Sequence, residues 1–274
     1  MMQVKIKNLI GLKTIVSGEY ESFRAACEQN KSNLANADLQ NVDLSNADLS
    51  GGNLRGVWLE GASLSGANLT GANLSKAQGY NTAARIGTPT IPVIFANARM
   101  ANANLTHVRF KGAGFNGADL TNANLSGSEF IMARFQGADL RGANLRESKF
   151  EKADFSHADL RETICQSNFY GATFDEANLE GTNFASCVFC QASFKNANLR
   201  NANLANANFA QANFEGADLT GANMQGAKIW QAKLENANTA GANMIAVKTS
   251  AVGSCLITIL LLLIIIGLMI FLIK

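Results

Sequence analysis

The sequence predicts an all-β solenoid: a quadrilateral β-helix with a short N-terminal cap and a single C-terminal transmembrane helix. Three observations carry that reading. Leu or Phe recurs at the centre of five-residue units, the type of centre repeats every four units, and the stretch from Ala251 to Ile273 contains no charged residue. The 274 residues also include 24 Gly but only 2 Pro, with 47% apolar and 16% charged residues, which excludes a highly charged disordered chain. A formal charge of +2 gives no basic excess with which to neutralise phosphates, so nucleic acid is not an expected partner.

Residues 1–31 form an N-terminal capping segment. Lys5, Lys7 and Lys13 interrupt its apolar residues, so it lacks the hydrophobic run of a signal peptide. Ser17 is placed as the cap of a short helix carrying Tyr20, Phe23 and Cys27 on one side, where it would cover the first coil against edge pairing.

Residues 32–78 are the first repeat block, with Leu at every centre from Leu34 to Leu74, as in SNLAN ADLQN VDLSN ADLSG. Residues 98–246 are the second block. Its centres run from Met100 to Leu160 and then from Ile164 to Met244. Of thirty-nine units, twenty-eight have Ala two places before the centre, and Asn or Asp usually stands just before it. A helix cannot use this pattern, because a five-residue period drifts around a 3.6-residue turn and scatters the large apolar residues over every face. The spacing instead demands a path that turns once per unit, with one large and one small side chain inside and polar residues outside.

The order Phe110, Phe115, Leu120, Leu125, Phe130, Phe135 repeats every twenty residues, so four units make one coil. Phe110, Phe130 and Phe150 are expected as one interior ladder, and Phe115, Phe135 and Phe155 as its neighbour. At Arg161–Ile164 one residue is missing. Taking Ile164 as a centre preserves the order of types, so a corner is expected to absorb the deletion. At about 4.8 Å per coil, ten coils would make a column about 45 Å long, each coil buried only by its neighbours.

Units such as Ala37-Asp38-Leu39 and Ala67-Asn68-Leu69 resemble the A-(D/N)-L-X-X consensus of the pentapeptide-repeat protein family, and the resemblance spans about four-fifths of the chain. It implies a right-handed quadrilateral β-helix of pentapeptide repeats. The strand-and-helix lead-in of some members resembles residues 1–31.

Residues 79–97 hold both prolines, Pro89 and Pro92, and are assigned to an inserted loop. Its segment Arg85, Ile86, Ile91, Val93, Ile94 and Phe95 would suit a partner surface. Tyr170, Cys190, Ala210 and Trp230 share one outer side at twenty-residue spacing and form a second candidate surface, and Trp58, outward where polar residues are usual, is a third.

No catalytic, cofactor-binding or metal-binding residues are expected. Cys187 and Cys190 have C-x-x-C spacing, but Cys187 occupies the small inward position and Cys190 follows a centre, so their sulfurs should point apart. His107 and His157 are fifty residues apart, not a multiple of twenty, and fall on opposite sides. No Ser/His/Asp set, phosphate loop or carboxylate dyad occurs, which argues against an enzyme.

Ala251–Ile273 is long enough to cross a bilayer as a helix at about 1.5 Å per residue. With Lys248 on its flank, the expectation is a single-pass, tail-anchored membrane protein whose repeat domain lies on the cytoplasmic side. Cys255, at the head of the tail, stands where acylation would occur.

The function these features favour is a non-enzymatic, membrane-tethered interaction scaffold with an unidentified protein partner. The alternative is a DNA-mimicking modulator of a type II topoisomerase, as some family members are. Residues 33–245 carry eighteen acidic against sixteen basic residues, too even a balance for such a mimic. A homo-oligomer assembled through the tail is a third option, for which Gly253 and Gly267 are too far apart to make a small-residue packing motif.

Overall fold

The computed structural model describes residues 1–8, 11–80 and 91–249. Strands β1 (Met2–Lys7) and β2 (Thr14–Tyr20) pair as an antiparallel hairpin, followed by helix α1 (Phe23–Gln29) and a single 3-10 turn at Lys31–Asn33. Ser22, not Ser17, caps α1: its Oγ accepts from Ala25 N at 3.0 Å. Ser17 is instead held inside β2 opposite Lys5. The register that pairs Tyr20 with Met2 keeps the chain extended to that point, so the helix starts later than the apolar spacing alone suggests.

This cap supplies partners to the top of the column. Asp38 N donates to Lys7 O at 2.8 Å, and Asn53 N donates to Lys31 O at 2.8 Å. Glu28 Oε1 accepts from Asp48 N at 3.0 Å, and Arg24 Nη1 reaches Ser45 O at 3.1 Å. Backbone groups that the first coil would otherwise leave open are thereby satisfied.

From Asp38 to Lys248 the chain climbs through parallel bridges between residues one coil apart, such as Asp43 with Ser63 and Asn53 with Asn73. Four such columns of bridges define four faces. Face 1 carries the inward centres Leu34, Leu54, Leu74 and Leu105. Face 2 carries Leu39, Leu59, Gly79 and Phe110; face 3 carries Leu44, Leu64, Phe95 and Phe115; face 4 carries Leu49, Leu69, Met100 and Leu120. Every Leu, Phe, Met or Ile centre from Leu34 to Ile229 is at most 1% exposed. The small residue two places earlier, mostly Ala, fills the space between large centres, and the described interior is one continuous stack of buried apolar side chains.

The Asn or Asp before each centre has a local task. Its Oδ1 accepts from the backbone N–H two residues on, as Asp43 does from Ser45 at 2.9 Å and Asn73 from Ser75 at 3.0 Å, so a polar side chain bends the backbone into each corner. The second corner residue takes a positive φ, 59° at Asn36 and 67° at Gly56, a region open to Gly and tolerated by Asn. Outside, Asn203, Asn223 and Asn243 each donate an amide hydrogen bond to the Asn one coil earlier, at 3.0–3.2 Å.

Two interruptions refine the expected path. Asn68 pairs with Arg99, thirty-one residues away, where other coils take twenty. Eleven extra residues therefore leave the coil after face 2. The coil has already resumed at Val93 and Ile94, since Ile94 bridges Ser63 and Val93 is fully buried. The inserted stretch is thus shorter than 79–97. Pro92 stands at the second corner position, whose N–H in other coils on this edge donates to a carbonyl of the next coil, as Gly61 N does to Ile91 O and Gly112 N to Ile131 O, so the coil resumes without that one bond.

The second interruption is displaced from its expected place. Ile164 is not a centre: it pairs with Asn144 on the outer face and is 45% exposed, while Cys165 points inward. The short step lies between Cys165 and Phe169, where Lys149 pairs with Asn168 nineteen residues on. Thr163 fills the small inward position in front of Cys165 and Ser167 that in front of Phe169, so Gln166 alone turns a corner that two residues turn elsewhere.

In the last coil Leu234, Ala237, Met244 and Val247 are only partly buried. Among the described residues no helix is long and apolar enough to cross a membrane. The segment expected to do so, 251–273, lies outside the described residues, as do Arg85 and Ile86.

Candidate interaction surface

Phe95 does not belong to an outer surface. It is fully buried on face 3, its ring stacked on Phe115 with centroids 4.9 Å apart. The sequence had associated it with a loop because of Pro89 and Pro92, yet Val93-Ile94-Phe95 is a small–outer–large unit in which Ile94 replaces the usual Asn. Phe110, Phe115, Phe130, Phe135, Phe150 and Phe155 are likewise interior. Face 3 stacks its rings nearly parallel at 4.8–5.0 Å from Phe95 to Phe214. On face 2, Phe130 and Phe150 stack at 5.3 Å and 5°, whereas Phe110 meets Phe130 edge-on at 6.3 Å and 65°. Phe110 turns because Gly79 lies above it. A Cβ on Gly79 would come within 2.6 Å of Phe110 Cδ1, so the ring has moved into the space a larger centre would hold.

The remaining candidates fall into two groups. Ile91, Tyr170 and Trp230 all lie on the edge where face 2 turns into face 3. Gly61 N donates to Ile91 O at 2.8 Å, and Lys152 N and Gln211 N make the equivalent bonds to Tyr170 O and Trp230 O at 2.8 and 2.7 Å, so these residues take the same corner position in their own coils. Ile91 is 57% exposed, Tyr170 38% and Trp230 42%, with Cys190 and Ala210 half-buried between the aromatics. Met132, exposed on the same edge, was absent from the expected surface because it occupies the second corner position, at a positive φ, and so falls outside the twenty-residue spacing of the first. The eleven extra residues also leave and rejoin the column at this edge. Of the described residues in the loop segment expected as a surface, only Ile91 shares this edge with Tyr170 and Trp230; Val93 and Phe95 are interior, and Ile94 lies on the outer side of face 3.

Polar groups fix the ridge in place. Tyr170 Oη donates to Gln191 Oε1 at 2.6 Å, Gln191 Nε2 to Gln211 Oε1 at 2.9 Å, and Gln211 Nε2 to Gln231 Oε1 at 3.0 Å, a ladder beside the apolar side chains. At the exit of the insertion, Tyr80 Oη donates to Glu129 Oε2 at 3.0 Å, and Lys149 pairs with Glu129 at 3.0 Å. An open groove of about 300 Å³ lined by Pro92, Lys111, Gly112, Met132 and Arg134 lies along the same edge.

Trp58 stands apart. It is half-buried on the outer side of face 2, in a wide groove with Lys76, Gln78, His107 and Arg109. His107 and His157 occupy different corners, and His157 Nδ1 lies 3.4 Å from Glu176 Oε2. Among the described residues no group of three His, Cys, Asp or Glu side chains is arranged to hold a metal ion.

The acidic ladder Asp119, Asp139, Asp159 stands on face 4. Arg141 grips both oxygens of Asp139, at 2.6 and 2.9 Å, and Arg161 grips Asp159 in the same way. Two of the three charges are thereby paired, and hydrogen bonding by Arg141 holds the Asp139 carboxyl below the usual carboxylate range.

A parallel solenoid of five-residue sides with a filled interior defines a repeat protein. A model of pentapeptide repeats in eight copies matches residues 30–56, 53–78, 94–127 and 128–164, and a pentapeptide repeat region model matches 167–244. The chain belongs to the pentapeptide repeat family. No curated protein matches it. Among solved structures it is similar to HetL from the cyanobacterium Nostoc, a pentapeptide repeat protein involved in heterocyst differentiation regulation, at 24% identity over 76% of this chain and 86% of that one, with a TM-score of 0.33. QnrB1, a plasmid-mediated fluoroquinolone resistance protein, matches at 16% identity over 82% and 96%, TM-score 0.43. A pentapeptide repeat protein of the Arabidopsis thaliana thylakoid lumen matches at 31% identity over 40% and 63%, TM-score 0.28.

Proposed function

We propose that the chain is a non-enzymatic interaction scaffold, tethered to a membrane by residues 251–273, that holds a protein partner along the edge between faces 2 and 3. The alignment of Ile91, Met132, Tyr170 and Trp230 on one edge, beside the exit of the insertion, carries this reading. Exposed apolar side chains scattered singly, as Ile164 and Ile245 are, mean little, but four of them on one edge, with the charged Glu151 among them, suit a contact surface. The interior supports it from the other side, because among the described residues the inward positions are closely packed, Gly52 and Gly79 included, and no polar groups converge on an enclosed site.

Tethering rests on the sequence: an uncharged run of membrane-spanning length begins a few residues after the last coil. Deleting residues 251–274 should move the protein from the membrane pellet to the soluble fraction, and pelleting of the truncated chain would refute the anchor. Affinity capture from detergent extracts, comparing the intact chain with one lacking residues 80–90, tests the edge. Equal recovery of all partners would refute it.

The topoisomerase reading draws on the aspartate ladder of face 4, but Arg141 and Arg161 cancel two of its three charges. Inhibition of a type II topoisomerase by stoichiometric amounts of this chain would reverse that judgement.

A further inference from the structure

Cys165 and Cys187 lie in neighbouring coils with their sulfurs 3.6 Å apart, and both are buried. Their meeting follows from two features of the column. Cys187 is the next member of a file of inward serines, Ser128, Ser148 and Ser167, whose hydroxyls donate to the carbonyls of Leu105, Leu125 and Leu145 in the preceding coil. The file therefore aims position 187 at residue 165. Cys165, in turn, is a face 1 centre beside the corner that Gln166 turns alone. The thinner corner leaves Cys165 7% exposed, against at most 1% for every Leu, Phe, Met or Ile centre between Leu34 and Ile229. A dithiol and a small residual exposure thus coincide at the one shortened corner among the described coils.

We infer that Cys165 and Cys187 are an oxidant-accessible pair which a small neutral peroxide converts into an intrachain disulfide joining successive coils. One sulfur, as the thiolate, attacks a peroxide oxygen and breaks the O–O bond. It becomes a sulfenic acid, and the departing hydroxide leaves as water with the thiol's proton. The second sulfur then attacks the sulfenic sulfur, and its OH group leaves as a second water with the second thiol's proton. Two thiols lose two electrons, hydrogen peroxide gains them, and the sulfurs close by about 1.5 Å to bonding distance.

The other described cysteines are placed differently. Cys190 faces outward, half-buried, with its sulfur near Asn208 O, and so is turned away from Cys187. Cys27 is fully buried under the cap, where burial pushes its thiol up to about 12. For Cys165 burial likewise raises the thiol well above the ordinary range, so its reaction should be slower than that of an exposed cysteine.

The test uses the full chain in detergent micelles, treated with hydrogen peroxide, alkylated under denaturing conditions and mapped by mass spectrometry. The expected product has lost two hydrogens per chain, links the Cys165 and Cys187 peptides, and reverts with dithiothreitol. Cys190→Ser should still form the link. Cys187→Ser, which extends the existing serine file and so suits the coil, should not. A link between Cys187 and Cys190, or full alkylation of Cys165 and Cys187 after Cys190 has been consumed, would overturn the proposal.

Discussion

Phe115 and Phe135 lie ring on ring, 4.8 Å between centroids and 6° from parallel, at the spacing of the coils that carry them. Face 3 is in this sense an aromatic file locked to the backbone repeat. Phe135→Ala removes a ring with neighbours above, below and beside it, and should cost about 3–5 kcal/mol in denaturant unfolding. Phe135→Leu, which restores the centre used in the first coils, should lose less than half of that. Equal losses would show that ring stacking, rather than filled volume, holds the interior.

Gly79 is the centre that must stay small. A Cβ there would meet Phe110 Cδ1 at 2.6 Å and Val93 Cγ1 at 2.8 Å. Gly79→Ala should therefore destabilise the column by about 1–3 kcal/mol through overpacking. Adding Phe110→Leu should recover part of the loss, and a double-mutant cycle measures the coupling.

Thr163 and Thr182 fill the same inward position in successive coils with different outcomes. Thr182 Oγ1 donates to Leu179 O at 2.7 Å, whereas Thr163 Oγ1 is buried without a partner. Thr163→Ala, which installs the commonest residue of this position, should raise stability by about 1 kcal/mol. Thr182→Ala should not, and thermal melts of the two variants read the contrast.

Acid should weaken face 4. Asp139 has its carboxyl lowered by the hydrogen bonds from Arg141, so its contribution to stability is complete above the unfolded aspartate value of about 4 and is lost as pH falls through the lower folded value. The urea midpoint should fall on acidification, and less steeply in Asp139→Asn. The pair is partly exposed, so added salt should shrink the difference.

The edge between faces 2 and 3 should be separable from folding. Trp230→Ala and Met132→Ser remove exposed side chains and should each change stability by less than about 0.5 kcal/mol. Partner recovery from detergent extracts should fall in the Trp230→Ala chain. Unchanged recovery in the double variant would place the contact elsewhere.

The four-sided path was legible in the sequence because coil packing is short-range: a centre and its small companion fix which way five residues face, and four such units recur in type. Where two apolar residues were adjacent, the period alone could not choose. Ile164 and Cys165 are such a pair, and the larger was read as inward. The small residues hold the better signal, since Ala158, Thr163, Ser167 and Ala172 place the short step after Cys165. That misplacement also hid the contact between Cys165 and Cys187. Phe95 was misread for a related reason, because the nearby prolines suggested that the coil had stopped when it had already resumed. Ile91 joins the edge only in three dimensions, since it follows directly on the insertion and its interval to Tyr170 is one residue short of four coils.

The insertion after face 2 and the missing residue before Phe169 leave the order of faces untouched, so distance along any edge is counted in whole coils whatever lies between. The edge is a graduated rule with marks about 4.8 Å apart. Tyr170 and Trp230 are three marks apart, about 14 Å, a gap that an extended peptide covers in about four residues at roughly 3.4 Å each. A binding segment that spaces two apolar side chains by that interval would meet both aromatics at once, whereas one lengthened or shortened by a single residue would also present its second side chain to the opposite side.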